Sequence, residues 1–252
     1  MSLLMDYVFV PAVTFARYCA GFSGKTARVD EFEWSYMERD AQAPDTTEPV
    51  VLVHGFSSWK ESWTNLARQI DKKYRVIVPD LPGQGCTTPA EPTLSYTADA
   101  QAERLHRFLE ETVPADRKVH LIGCSMGGML AGVYSAKYPE RVRSLTMMCP
   151  AGITMPNKSD AYKILDDEGR NLLLARTPEE MAEMAAIIDY RQISGPRFIL
   201  SSIVKFRLEK MPVFEKIFED TKNDPTVLET QLDRIRAKTL IFWGKNDRVL
   251  DV

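Results

Sequence analysis

Gly123-Cys124-Ser125-Met126-Gly127 sets a serine between two glycines. A serine hydroxyl becomes a nucleophile only where a base removes its proton and donors await the developing oxyanion, so its surroundings matter more than the pentapeptide. The pattern alone is weak, because glycine-rich turns with an incidental serine recur by chance. Its context is specific. KVHLI before it reads as a strand and GMLAGVYSAKY after it as a helix. A G-x-S-x-G turn between strand and helix holds the serine on a tight, strained bend with its oxygen above the sheet. The flanking glycines permit a backbone approach that a side chain would block. The expected chemistry is acyl transfer through Ser125.

The other parts of such a site can be sought in the chain. VVLVHGF ends a strand in His54-Gly55-Phe56, and the N–H groups of Phe56 and Met126 are the expected oxyanion donors. Removing one such donor typically costs about 10²–10³ in turnover. No metal or organic cofactor is required. Asp247 follows the strand TLIFWG, downstream of the serine, in the order Ser…Asp…His. Asp251 is its rival and could instead cap a following helix. CPAGITM, after the preceding strand, offers no carboxylate.

The base is the missing part. The three histidines, His54, His106 and His120, all precede Ser125, and none follows Asp247. His106 belongs to a helix face and His120 to a strand interior. His54 invites a catalytic role, but at a strand end before the nucleophile it reads as a structural residue holding the loop. Losing the base costs on the order of 10⁶ in turnover, so the chain as written is expected to be nearly inert. It stops in a loop after a strand, before a last strand and helix that would cover the sheet edge, and the expectation is truncation rather than a protein that evolved without its base. Cys124 reads as a small buried filler, with a modifiable thiol as the alternative.

These residues need a scaffold. Of the 252 residues 44% are hydrophobic and 27% charged, and the net charge is −3. Those values fit one large globular domain and argue against nucleic acid as a partner. The four cysteines match no metal or redox spacing and suit a reduced, intracellular setting. RVDEFEWSYME alternates as strands do, with Val29, Phe32, Trp34 and Tyr36 as its apolar positions. VVLV, YRVIV, KVHLI, SLTMM and TLIFW are short apolar runs of the kind buried on both faces. Between them, SWKESWTNLARQI, SYTADAQAERLHRFLEE and GMLAGVYSAKY have helical spacing. The alternation predicts an α/β fold with a mainly parallel sheet flanked by helices.

The rhythm breaks between about Gly152 and Ala237, which reads as helices without a convincing strand. Thr177-Pro178-Glu179-Glu180 is a helix start. This interval is expected to be an inserted helical cap, rich in Met181, Met184, Ile187, Ile188, Phe198, Ile199, Ile203, Phe206, Phe214 and Phe218. Such side chains could hold an acyl chain, or could simply pack the cap. The expected organisation is an apolar N-terminal segment over 1–26, the first part of the core over 27–151, the cap over 152–237, and a second, truncated part over 238–252. Residues 1–22 are strongly apolar, but Asp6, Pro11 and Arg17 interrupt them, so they make a poor complete span. They read as a membrane-interface helix, the stub of a longer anchor, or a helix packed on the domain.

With LVHGFSSWKESW, VPDLPGQGCTT, HLIGCSMGGMLAGVYSAKYPE, CPAG, TPEEMAEM and FWGKNDRVLDV in hand, the chain resembles the α/β-hydrolase superfamily. It is most similar to the abhydrolase domain-containing monoacylglycerol lipases, membrane-anchored enzymes acting on monoacylglycerols such as 2-arachidonoylglycerol. The resemblance implies an α/β-hydrolase fold, with Ser125 as nucleophile, Asp247 as acid and Phe56 and Met126 as oxyanion donors. It also implies a histidine in a segment this sequence lacks, lipid ester substrates, and an intracellular, membrane-associated place through the N-terminus. Two rival functions stay open. One is a carbon–carbon bond hydrolase of the same fold, which uses a similar elbow and acid loop; the other is a catalytically silent binding protein.

Overall fold

Apolar residues on both sides of the central strands require a sheet covered on both faces, and the chain builds one except at its last strand. Lys238–Phe242 is exposed along its length rather than buried on both faces as its apolar run suggests, because among the described residues nothing packs over it. The computed structural model describes residues 10–42, 47–188 and 197–251, with side chains from residue 14 in the first span and from residue 200 in the third. Helix α1 (Val10–Cys19) leads into a hairpin of β1 (Ser23–Val29) and β2 (Phe32–Arg39). Then come β3 (Val50–Val53), the short α2 (Thr64–Ala67), β4 (Val76–Pro79), α3 (Ala98–Thr112), β5 (Val119–Cys124), α4 (Met126–Lys137) and β6 (Val142–Met148). Four helices follow: α5 (Asp160–Glu168), α6 (Pro178–Ile188), α7 (Arg197–Glu209) and α8 (Met211–Lys222). The last strand is β7 (Lys238–Phe242).

The seven strands form one sheet in the order β1-β2-β4-β3-β5-β6-β7. β1–β2 and β2–β4 pair antiparallel, while β3–β4, β3–β5, β5–β6 and β6–β7 pair parallel. Val51 and Val53 of β3 face one core and Val50 and Leu52 the other, as the two-residue period of a strand requires. On the first face α3 and α4 cover the sheet, and Phe108 stacks on Trp34 with ring centroids 4.6 Å apart. Tyr36 packs against the same ring in a T-shaped arrangement, with centroids 5.4 Å apart. All three rings are buried, so Phe108→Ala is expected to cost about 3–5 kcal/mol of stability. Urea denaturation reads this as a lower midpoint at unchanged slope.

Two elements differ from the expected pattern. The hairpin begins at Ser23, four residues earlier than the alternation suggests, because β1 pairs along its whole length with β2. The helix expected over Trp59–Ile70 is a 3-10 turn (Lys60–Trp63) followed by the single turn of α2. Arg39 of β2 ends it by donating to the carbonyls of Ala67, Ile70 and Asp71. The start of α6 follows the expected capping logic with one change. Glu180 N–H donates to Thr177 Oγ1, but the Glu180 carboxylate reaches back to the N–H of Arg176 rather than of Thr177.

Among the described residues no helix is long and apolar enough to cross a membrane. Residues 1–9, which carry much of the apolar N-terminal segment, lie outside them. α1 is tied to the domain by Arg17 Nη1 donating to Glu61 at 2.9 Å, yet it leaves Phe15 and Tyr18 68% and 77% exposed.

Candidate active site

Ser125 sits between β5 and α4 with φ 57° and ψ −123°, a backbone state that costs a non-glycine residue on the order of 1–3 kcal/mol. The surrounding structure holds it there. Its N–H donates to the Met148 carbonyl at 2.9 Å, and its own carbonyl accepts from Met129 and Ala151. The two glycines of the motif have distinct steric roles. A Cβ on Gly123 would lie 2.0 Å from the Gly127 carbonyl oxygen, and one on Gly127 would lie 2.3 Å from that of Val53. α4 thus packs against β5 and β3 closely enough to force the turn. The hydroxyl makes no capping bond to its helix, so Oγ is left for other chemistry.

The loop after β3 runs beside it. A Cβ on Gly55 would meet the Ser125 Cβ at 3.3 Å and Oγ at 3.7 Å. Phe56 follows, and its N–H has no acceptor among the described residues. Met126 opens α4, so its N–H has no intrahelical partner. Both residues expected as oxyanion donors therefore stand beside the serine with uncommitted donors. The Phe56 ring anchors the loop against α8, 6.0 Å from Phe214 and from Phe218. Behind it, the N–H of Ser57 donates to the buried Gln84 at 2.5 Å. Asp80 accepts from Lys60 N–H, the Lys60 ammonium and Cys86 N–H. These long-range clamps left no mark in the local sequence.

His54 is fully committed. Leu81 N–H donates to Nε2 at 3.0 Å, so Nδ1 carries the proton and donates to the Gly55 carbonyl at 2.8 Å. Burial lowers its pKa below the ordinary histidine value. A base with a lowered folded pKa binds fewer protons than the unfolded chain, so its contribution to stability is complete above pH ~6.5 and declines as pH falls. His54 is expected to stay in the neutral Nδ1–H form at pH 5.5 in a ¹⁵N imidazole titration; an ordinary midpoint there would refute the structural role. His106 stacks on Tyr138 at 3.8 Å, and His120 Nδ1 meets Ser144 Oγ at 2.7 Å, near the start of β5. Neither belongs to the cavity that holds Ser125.

Asp247 does line that cavity. Its Oδ1 accepts from the N–H groups of Val249 and Leu250 at 2.8 and 2.9 Å. The loop around it is clamped by Trp243 Nε1 donating to the Leu250 carbonyl, Ser159 Oγ to that of Val249, and Arg248 to Asp160. Asp251 lies elsewhere, on a separate polar cavity of about 500 Å³ that Asp247 also borders. The cysteines give a residue that sequence reasoning passed over. Burial raises the Cys149 thiol to about 11, and its hydrogen bond to Asp247 acts in the same direction. Cys124 is raised as well, mainly by burial, which suits a filler rather than a reactive thiolate.

The cavity encloses about 830 Å³ and is lined mainly by apolar side chains, among them Trp63, Leu173, Met181, Met184, Ile188 and Ile203. That size suits a lipid-like small molecule. Of the other apolar residues noted in this interval, Phe214 is buried in the main core, Ile187 packs with Ala161 and Leu172, and Lys210 covers the Phe206 ring. The side chains of Phe198 and Ile199 lie outside the described residues.

Comparison with known proteins agrees with this architecture. The family described as alpha/beta hydrolase fold matches residues 48–252. Monoacylglycerol lipase abhd6-A of Xenopus laevis is 32% identical over 244 residues, which cover 94% of this chain and 72% of the relative. Monoacylglycerol lipase ABHD6 of Homo sapiens is 33% identical over 231 residues, covering 88% and 67%. Among solved structures, a membrane phospholipase A described as a bacterial virulence factor superposes with a TM-score of 0.87 at 33% identity, covering 98% of this chain and 79% of that one. With its sheet order, its strained strand–serine–helix turn and these relatives, the chain belongs to the α/β-hydrolase fold family.

Proposed function

We propose that this chain is the core of a serine hydrolase that cleaves carboxylic esters of lipids, monoacylglycerols in particular. The observation that carries the reading is Ser125 on its strained turn, with Oγ free of capping, in an apolar cavity that Asp247 also lines. In this proposal a histidine outside residues 1–252, held by Asp247, takes the Ser125 proton. Oγ then attacks the ester carbonyl, and the Phe56 and Met126 N–H groups receive the oxyanion. The imidazolium returns the proton to the departing glycerol oxygen, and a water deprotonated by the same base releases the fatty acid. The interval 152–237 would act as the cap over the acyl chain. The N-terminal segment, with Phe15 and Tyr18 exposed on α1, would rest on a membrane surface. The names of these relatives, monoacylglycerol lipases and a membrane phospholipase A, agree with a lipid ester and a membrane setting.

A fluorophosphonate probe added to the full-length protein tests the reading. Labelling at Ser125, located by peptide mass spectrometry, supports it; an unlabelled Ser125 overturns it. The second reading, a fold kept for ligand binding without turnover, draws on the three histidines being committed elsewhere. It predicts lipid binding with no labelling. Parallel assays on a monoacylglycerol and a diketone separate ester from carbon–carbon cleavage.

A further inference from the structure

Arg207 lies on α7, is only 4% exposed, and lines the cavity that holds Ser125. Its Nη1 donates to Ser57 Oγ at 2.9 Å and, more distantly, to the Ser57 carbonyl at 3.5 Å, and its Nη2 to the Leu173 carbonyl at 2.7 Å. Its guanidinium carbon stands 5.4 Å from the centre of the Phe214 ring. The Nε is buried with no acceptor among the described residues. Among those residues no carboxylate pairs with it either. A hydroxyl, two carbonyls and a ring face orient a cation without neutralising it, and buried charges are ordinarily paired. Two buried charges elsewhere are paired: Lys60 meets Asp80 at 2.6 Å, and Glu38 meets Arg75 at 2.5 Å. Arg39 and Arg141 also lack a carboxylate contact among the described residues, but each holds several backbone carbonyls, around residues 67–71 and 113–115 respectively. Neither lines the cavity. Burial pushes Arg207 down to about 10, which leaves it charged at neutral pH.

We propose that Arg207 is an anion-binding residue for substrate, receiving the phosphate of an acylglycerol phosphate whose ester lies at Ser125. The proposal rests on the ester hydrolase reading and names the substrate class within it. Ser57, which Arg207 holds, directly follows Phe56, so the guanidinium is tied one residue from an expected oxyanion donor. Ser57 is itself fixed, with φ 51° and its N–H on Gln84. In an acylglycerol phosphate only the glycerol carbons separate the ester oxygen from the charged group, so one molecule can reach both points. The guanidinium fork suits phosphate oxygens, and the Ser57 hydroxyl, accepting from Arg207, keeps its own proton to donate to the anion. A charge at the far end of an acyl chain would instead meet the apolar wall of Met181, Met184 and Ile203.

The test measures binding and needs no turnover. Calorimetry on the full-length protein would compare an ether-linked alkylglycerol, its 3-phosphate, the fatty acid of equal chain length, and inorganic phosphate. The expected result is that the phosphate ether binds at least about ten-fold tighter than the uncharged ether. Arg207→Lys should keep part of that preference and Arg207→Gln should lose it. A general loss of packing lowers both affinities and leaves their ratio unchanged, and the charge-retaining lysine variant gives a readout if the glutamine variant does not fold. Equal affinities in the unaltered protein overturn the proposal, as does a preference that survives Arg207→Gln. A larger Arg207-dependent gain for the fatty acid overturns it too. Inorganic phosphate bound as tightly, with the same dependence, would mark a free-phosphate site and refute the lipid assignment. Fluorophosphonate labelling of Ser125 is read separately, so a labelled protein without phosphate preference sinks this proposal alone.

Discussion

In the full-length protein, Ser125→Ala is expected to slow monoacylglycerol hydrolysis by on the order of 10⁶ and to abolish fluorophosphonate labelling. The fold should be retained, because alanine keeps the Cβ and so leaves the strained backbone as it is. Ser125→Gly provides a stability comparison in the opposite direction. At φ 57° and ψ −123° a glycine relieves the strain, so this variant should be equally inactive yet gain about 1–2 kcal/mol in urea denaturation. A serine that were merely a turn residue would show the stability gain without the loss of turnover. In the 252-residue chain alone either substitution should change turnover little. There Ser125 has no imidazole in reach: both His54 nitrogens are bonded, His106 is stacked on Tyr138, and His120 bonds Ser144. A Ser125-dependent rate in that chain approaching the full-length rate would mean that another group serves as base, and the proposed mechanism would fail.

The strands and the serine turn were legible because their causes are local. Burial on both faces makes VVLV and YRVIV continuous apolar runs, and two glycines around one serine carry the close approach of α4 in their own identity. The helix expected over Trp59–Ile70 misled for the opposite reason. Its apolar spacing comes from Trp63 and Ala67 packing against the second core, which one short turn satisfies as well as a long helix does. The cation that ends it, Arg39, arrives from β2 and is invisible in the local pattern. Arg207 and Cys149 escaped notice likewise. One becomes unusual only when α7 folds over the Ser57 loop, and the other only when β7 brings Asp247 beside β6. The sequence order of Ser125 and Asp247 was readable, whereas what lies between and behind them is a matter of contacts between segments far apart in the chain.

Asp247→Asn is expected to cost on the order of 10⁴ in turnover with little change in stability. The substituted amide would keep an oxygen to accept from Val249 and Leu250, so the turn that positions the side chain survives. What changes is the other terminus, where a carboxylate oxygen becomes an NH₂ donor. A carboxylate accepts the imidazole N–H, fixes the tautomer that leaves the other nitrogen free for Ser125, and stabilises the imidazolium that forms; an amide N–H favours the opposite tautomer. Asp247→Ala is the poorer experiment, because it also removes the two turn bonds and mixes loop disorder with lost charge. Asp251→Asn is the matched control and should change turnover by less than a few-fold, since Asp251 borders the polar cavity and does not line the one that holds Ser125. Cys149 does not confuse the result: its thiol, raised to about 11 by burial and by Asp247, stays neutral across the assay range and adds no competing anion. If the 10⁴-fold loss followed Asp251→Asn and spared Asp247→Asn, the acid would have to be reassigned and the Ser57–Arg207 side of the cavity re-read from that new point.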